Sequence, residues 1–386
     1  MIKRGQPKLT KPRTTISNSN RCLSLTGQDG RPIILRKPQL ESENWGICGL
    51  LRVHQMKKLG IAALVLIALA FSLCLAFEDT HPKLLPKPGA FHSLTEPPCS
   101  YASTQNRKGF VTPDDRVLAW IRGVHNGGAI PIRLFLSGPR VINDTYGLFF
   151  YDPDGGYATA FKKDYGYEFY GWRGGVMTVK GTDGTLWSAL TGRALEGPQK
   201  GTRLERIPSL LTTWSEWLML HPESTAYDLF DGKKYPAVPL PAGMSSEAQE
   251  TMGHVDPRLK PLSIVMGVEV ENRTKAFPLE EAGERACFLD TVGGQEMAVF
   301  WYQPTESAVA FRRQLGDRRL TFYADPVSPE TAPFKDKETG SRWTLAGRAV
   351  DGSLRGQELT WVNSVQCRWY AWVAEHPKTD VYVLSK

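Results

Sequence analysis

Trp187-Ser-Ala-Leu-Thr-Gly-Arg-Ala-Leu-Glu-Gly-Pro198, followed by Gly201-Thr-Arg-Leu204, Trp214-Ser-Glu-Trp217 and His221-Pro222, decides the architecture of this chain. It returns as Trp343-Thr-Leu-Ala-Gly-Arg-Ala-Val-Asp-Gly352, Gly356-Gln-Glu-Leu359, Trp369-Tyr-Ala-Trp372 and His376-Pro377. From Gly192/Gly347 to Pro222/Pro377 the offset holds at 155 residues without a gap. Self-similarity at a fixed offset signals one structural unit used twice. Upstream the match continues with small gaps. Ala129-Ile-Pro131 answers Ala276-Phe-Pro278, Asp144-Thr145 answers Asp290-Thr291, and Tyr151-Asp-Pro153 answers Tyr302-Gln-Pro304. The units are expected at 110–227 and 263–386, joined by a Pro- and Lys-rich connection at 228–262.

Within a unit, short runs such as Gly147-Leu-Phe-Phe-Tyr151, Met297-Ala-Val-Phe-Trp-Tyr302 and Arg319-Leu-Thr-Phe-Tyr323 are aromatic or β-branched, with Gly, Asp and Pro between them. They read as strands separated by turns. One helix per unit is expected. Thr213-Trp-Ser-Glu216 has the form of a capping box, and Trp214, Trp217 and His221 then fall on one face. Pro222 disfavours helix at His221, so the helix should stop there. The second unit keeps Trp369, Trp372 and His376-Pro377 but has Arg368 where the first has the capping Thr. The expected fold is mainly β with a short helix per repeat: two tandem copies of a sandwich- or barrel-like unit.

The chain has 386 residues, 41% of them hydrophobic, enough to bury a core, and a formal net charge of +7. That charge is concentrated at the N-terminus. Twelve of the 47 basic residues and three of the 40 acidic ones precede residue 59, leaving 35 against 37 in the remainder. The body therefore carries no electrostatic footprint for nucleic acid. Residues 1–55 are basic and aperiodic, and read as a disordered leader, or as sequence upstream of a true start at Met56. From Met56-Lys-Lys58 an apolar run extends from Leu59 to Ala76. Residues 56–77 have the layout of a signal peptide with cleavage after Ala76, or, uncleaved, of a transmembrane anchor with its N-terminus inside. Either reading puts residues 78–386 outside the cytoplasmic membrane, as a secreted, periplasmic or membrane-anchored body. The Pro-rich stretch 78–109 reads as a stiff spacer. Of six cysteines only Cys99, Cys287 and Cys367 lie in the body. They have no Cys-x-x-Cys spacing, so they form no disulfide framework or zinc knuckle; one pair and three free thiols both stay open.

These motifs together resemble the DUF3179 family of bacterial proteins of unknown function, over roughly residues 110–386. The resemblance rests on Val141-Ile-Asn143-Asp144-Thr145, Leu186-Trp187-Ser-Ala-Leu-Thr191-Gly192, Gly197-Pro198-Gln-Lys-Gly201-Thr-Arg-Leu204 and Thr213-Trp214-Ser-Glu-Trp217. In the second half it rests on Gly267-Val-Glu-Val270, Asp290-Thr-Val-Gly-Gly294, Thr339-Gly-Ser-Arg-Trp343 and Trp369-Tyr-Ala-Trp372. Many such proteins carry Tyr-Cys-Pro-Leu-Cys-Gly in the first unit, with a His shortly before Asn-Asp, a set suited to metal or thiol chemistry. Here the stretch is Tyr151-Asp152-Pro153-Asp154-Gly155-Gly156, and Pro139 stands at the His position. The resemblance therefore implies that this chain lacks that chemistry.

The candidate site residues are few. Asp152 and Asp154 read as a β-turn, with Pro153 fixing φ at its second position. As a calcium loop the stretch lacks the late Glu, with Lys163 standing twelfth. His221 and His376, each beside a Trp pair, are expected to pack or to cap a carbonyl. Trp172, with Tyr165, Tyr167 and Tyr170, is strand core or a stacking platform for envelope glycans. Asp144 and Asp290 cap turns, or pair as acid and base if the units face each other. No phosphate-cradling Gly-Lys-Ser/Thr, no Gly-x-Ser-x-Gly elbow and no His-Glu-x-x-His occurs, so no cofactor or resident metal is expected. The chain reads as a non-catalytic binding or structural module of the envelope, with a glycan or protein partner. A groove between the units is the expected place for a ligand. The alternative is an extracytoplasmic hydrolase using Asp144 and Asp290.

Overall fold

The computed structural model describes residues 82–108, 111–122, 126–136, 140–162, 166–227 and 243–384. The basic leader, the apolar run, Pro139, Lys163, Tyr165 and most of the Pro- and Lys-rich connection lie outside the described residues. Among the described residues no helix is long and apolar enough to cross a membrane.

The chain is mainly β, folded into several sheets. In the first half, the antiparallel hairpin Arg116–Arg122/Asn126–Pro131 is flanked by Ser209–Thr213 on one side and by Thr225–Tyr227, running parallel, on the other. In the second half, the hairpin Ile264–Val270/Arg273–Pro278 is flanked by Ser364–Arg368 and, again parallel, by Asp380–Val381. Each half also has an antiparallel meander. Val141–Asp144, Gly147–Asp152 and Tyr157–Lys162 form one; Arg285–Val292, Gln295–Tyr302 and Ser307–Arg312 form the other. A run of short antiparallel strands follows each meander, at 168–196 and at 322–351.

The central meander strands, Gly147–Asp152 and Gln295–Tyr302, carry unbroken apolar runs because both of their faces are covered. Phe149 and Tyr151 point into one core while Leu148 and Phe150 point into another. Phe300 and Tyr302 join the first of these, and Met297, Val299 and Trp301 a third. The first core therefore mixes Trp120, Phe149 and Trp217 of the first half with Phe300, Phe334 and Trp343 of the second. The second mixes Phe150, Trp172 and Trp187 with Val265, Cys367, Trp369 and Trp372.

Five α-helices occur among the described residues: α1 (Ala102–Lys108), α2 (Ile132–Leu136), α3 (Trp214–Leu220), α4 (Ser246–Thr251) and α5 (Trp369–Glu375). Helix α3 starts at Thr213, whose hydroxyl accepts from the Glu216 N–H, and ends at His221 as its sequence requires. Only that half of the capping box forms. The Thr213 backbone belongs to the strand that pairs with Arg116, and one Glu216 carboxylate oxygen has no partner. Helix α5 starts at Arg368 with no side-chain cap. Its first N–H groups bond instead to the Ser263 and Pro261 carbonyls, as those of α3 bond to Asp115 and Pro113.

The Pro-rich stretch does not act as a free spacer along its length. Leu84–Pro86, Ser93–Thr95 and Cys99–Tyr101 pair with Glu168–Arg173, Val141–Asp144 and Thr225–Tyr227, each at the edge of a sheet. Proline is tolerated at an edge because one side of the strand needs no N–H donor. The described end of the connection also packs down. Ala248 of α4 is buried in the second core, and Thr251 accepts from the Gly175 N–H.

Because two of the three cores draw on both halves, neither half can bury all of its apolar surface alone. Residues 78–242 and 243–386, expressed separately, should each give the near-ultraviolet circular dichroism of an unfolded chain, and should regain a cooperative melt when mixed. A cooperative melt from either half alone would contradict the shared cores.

Candidate functional site

The strand Gly147–Asp152 ends in the turn Asp152-Pro153-Asp154-Gly155, and this turn organises the site. Asp152 is buried. Its carboxylate accepts from the Asp154 N–H at 3.0 Å and from the Met177 N–H at 3.1 Å. Asp154 accepts from the Ser245 N–H and from the Ser245 hydroxyl, both at 2.7 Å. Ser245 is itself the N-cap of α4, so the turn is tied to that helix. The second half grips the same turn: the Arg368 N–H donates to the Gly155 carbonyl and its guanidinium to the Asp154 carbonyl. Burial, with the Asp154 charge beside it, raises the Asp152 carboxyl to about 6, against the pull of the amide donors.

These bonds leave the pair of carboxylates engaged with amide and hydroxyl donors, which suits a turn and not a calcium loop. Among the described residues no group of three or more His, Cys, Asp or Glu side chains could hold a metal. At Gly155 an added Cβ would lie 2.4 Å from the Tyr157 ring and 3.1 Å from an Asp152 carboxylate oxygen. The space that a side chain at 155 would share with residue 152 is thus filled by Tyr157.

A cavity lies on each side of the turn, and Pro153 lines both. The first, of about 570 Å³, is bordered by Asp152, Asp154, Trp172, Phe91, Phe169 and Arg140. Its aromatic wall is an edge-to-face cluster, with Phe91 to Phe169 at 4.8 Å and Phe169 to Trp172 at 5.0 Å between centroids. The Arg140 guanidinium sits 4.4 Å from the centre of the Phe91 ring and donates to the Phe135 carbonyl. Lys87 and Glu247 form an ion pair at its rim, 2.6 Å apart. The second cavity, of about 280 Å³, lies between the halves, with Arg116, Tyr151 and Leu211 from the first and Trp301, Gln366 and Arg368 from the second.

The sequence-selected residues thus divide. Asp152, Asp154 and Trp172 converge on the first cavity. Asp144 and Asp290 do not converge. Asp144 is buried in its own turn, accepting from the Tyr146 N–H at 2.9 Å. Asp290 pairs with Lys275 at 2.6 Å in a different sheet. Neither borders either cavity, so the hydrolase alternative has no shared acid–base site here.

His221 and His376 lie against Trp217 and Trp372, with ring centroids 4.3 and 4.1 Å apart. Burial lowers each imidazole to about 4. They are packed caps, far from the turn in sequence. Cys99, Cys287 and Cys367 are free thiols, exposed, half-buried and buried. Tyr167 is buried and Tyr170 half-buried in the strand layer, and neither borders the first cavity, which among the described members of the aromatic cluster only Trp172 lines. Sequence reading missed Arg116, Arg140, Tyr151 and Ser245. Only Ser245, a helix N-cap three residues before a buried Ala248, left a local signal.

Compared with known proteins, residues 176–379 match the model of a family described as "Protein of unknown function (DUF3179)". No curated protein and no solved structure matches the chain.

The paired histidines give a pH test. Each is neutral in the fold and has an ordinary value of 6.5 when exposed. An imidazole lowered by folding contributes stability above its unfolded pKa, and that contribution is lost as pH falls through 6.5 towards 4. Relative to a His376→Gln variant, the wild-type protein should lose on the order of 2–3 kcal/mol between pH 7 and pH 4 in urea unfolding. A pH-independent difference would show that His376 is not held neutral.

Proposed function

The chain belongs to the DUF3179 family, and from that premise we propose that it is a non-catalytic binding module, made of two fused copies of one unit and held outside the cytoplasmic membrane of a bacterial cell. Two fused copies are supported by the 155-residue offset and by the matching strand orders about the two hairpins, down to the parallel fourth strand. The helices match too: the Trp217 indole donates to Ser224 and the Trp372 indole to Thr379, both at 2.9 Å. An extracytoplasmic body is supported by Lys57-Lys58 ahead of the run Leu59 to Ala76.

Binding is carried by one observation. Three residues selected from the sequence, Asp152, Asp154 and Trp172, border a single cavity of about 570 Å³, within the range of roughly 300–1,000 Å³ used for small ligands. An aromatic wall beside Arg140 and the Lys87–Glu247 pair suits an amphipathic ligand, such as a fragment of an envelope glycan or the end of a protein partner. A catalytic role for the cavity is disfavoured because Asp152 and Asp154 already accept from amide and hydroxyl donors. A general acid or base needs a proton within reach of its substrate.

Two experiments test this reading. Ala90 is exposed at the cavity edge, so Ala90→Trp should fill the space without touching the core. In a thermal-shift screen of envelope oligosaccharides and peptides, a compound that raises the wild-type melting temperature should lose that effect in Ala90→Trp, whose own melting temperature should stay within about 2 °C. A shift preserved in the variant would place binding elsewhere. For location, alkaline phosphatase fused after residue 78 should be active in bacterial cells and inactive when residues 56–77 are deleted. Activity without those residues would end the export reading.

A further inference from the structure

The second cavity has chemistry of its own. Tyr151 is buried, with 1% of its surface exposed, and its hydroxyl has no hydrogen-bond partner in the protein. A buried hydroxyl without a partner is costly, and native interiors hold few of them. The cations facing this hydroxyl are Arg140, Arg116 and Arg368, and the facing acid is Asp152.

Two of those cations border the cavity. The Arg116 side chain is only 20% exposed and donates to the carbonyl oxygens of Thr305 and Glu306. The Glu306 carboxylate stands off at 3.7 Å and is 62% exposed. Arg368 donates through Nη1 to the carbonyls of Asp154 and Gly243. These carbonyls fix the guanidinium groups in place. Gln366 is neutral and occupied, its amide bonded to the Ala308 N–H and the Glu306 carbonyl. Glu280 and Gln303 are exposed at the rim, and Ile132, Leu211, Ile264 and Trp301 supply the apolar wall.

We infer that this cavity binds a small organic monocarboxylate, with its oxyanion on the Tyr151 hydroxyl beside the Arg116 and Arg368 guanidinium groups and its apolar body against Ile132, Leu211 and Trp301. The oxyanion supplies the acceptor that Tyr151 lacks, and the guanidinium groups beside it can add charge-assisted hydrogen bonds. Glu280 and Glu306, both exposed at the rim, repel a second negative charge and so disfavour phosphate. A volume of about 280 Å³ suits a body of a few carbons. The inference concerns the cavity between the halves and goes beyond the proposed role of the first.

Calorimetric titration of the purified full-length chain with hexanoate, benzoate, hexanamide and inorganic phosphate tests it, with Tyr151→Phe and Ala90→Trp beside the wild type. Hexanoate or benzoate should bind, with hexanamide and phosphate at least about tenfold weaker. Tyr151→Phe should weaken the carboxylate about tenfold, while the melting temperature of the free protein stays the same or rises. That pairing separates a binding role from a structural one. Ala90→Trp should leave carboxylate binding unchanged.

The inference is overturned if neither carboxylate binds, if hexanamide or phosphate binds as well, or if Tyr151→Phe keeps full affinity. It is also overturned if Ala90→Trp abolishes carboxylate binding, which would assign the ligand to the first cavity and leave the proposed function standing.

Discussion

Two of the three cores of this protein are built jointly by its two halves, and much of the structure follows from that constraint. Helix α3 buries Trp214 and Trp217 in a core that also takes Phe334 and Trp343 from the second half. Helix α5 buries Trp369 and Trp372 against Phe150 and Trp187 of the first. Burying one large side chain contributes roughly 1.5–3 kcal/mol, and here part of that gain is conditional on the other half being in place. The close fit leaves little slack. A Cβ at Gly267 would meet the Trp372 ring at 2.3 Å, and one at Gly127 the Trp217 ring at 3.0 Å. Glycine at these two positions leaves the room that each indole occupies.

A site arises where the two halves stop being alike. Thr213 caps α3 with its hydroxyl, whereas the matching Arg368 gives α5 no side-chain cap. Arg368 spends its guanidinium on the first half's turn, at the Asp154 carbonyl. The turns differ as well. After Tyr151 the chain passes through Gly156 with φ of 63°, whereas after Tyr302 it passes through a 3-10 turn to Glu306 with φ of 44°. A left-handed Glu is strained where Gly is not. Its carbonyl, with that of Thr305, receives Arg116 from the first half. Each half therefore sends an arginine to the other's turn, and the cavity lies where those two crossings meet.

Much of this was legible in the sequence because it is local. The Thr213 cap, the stop at His221 and the strand runs Gly147–Tyr151 and Met297–Tyr302 each depend on a few neighbouring residues. Arg368 standing where Thr was expected was visible too, although its destination was not. What stayed hidden depends on long-range register. No pattern around Asp144 or Asp290 says that one lies in a tight turn and the other beside Lys275. The prolines between residues 82 and 98 suggested a spacer because sequence does not show which sheet edges stand open to receive a strand. The convergence of Asp152 with Ser245 and Trp172 is likewise a product of chain crossings.

The same contrast bears on the thiol positions that the family resemblance brings to 152 and 155. Had only the side chains been exchanged, the space between those positions would remain. Instead the Tyr157 ring occupies it, 2.4 Å from where a Cβ at 155 would stand. Asp152 turns its two oxygens onto the Asp154 and Met177 amides. A buried carboxylate is tolerable only when amide donors or a cation meet it, and here the amides do so before any ligand arrives. The turn is thus a partition held by hydrogen bonds. It holds Pro153 between an aromatic cavity on one side and a cavity bordered by arginines on the other. The hydrogen bonds of the turn hold its carboxylates in place, and the two cavities lie on its two faces.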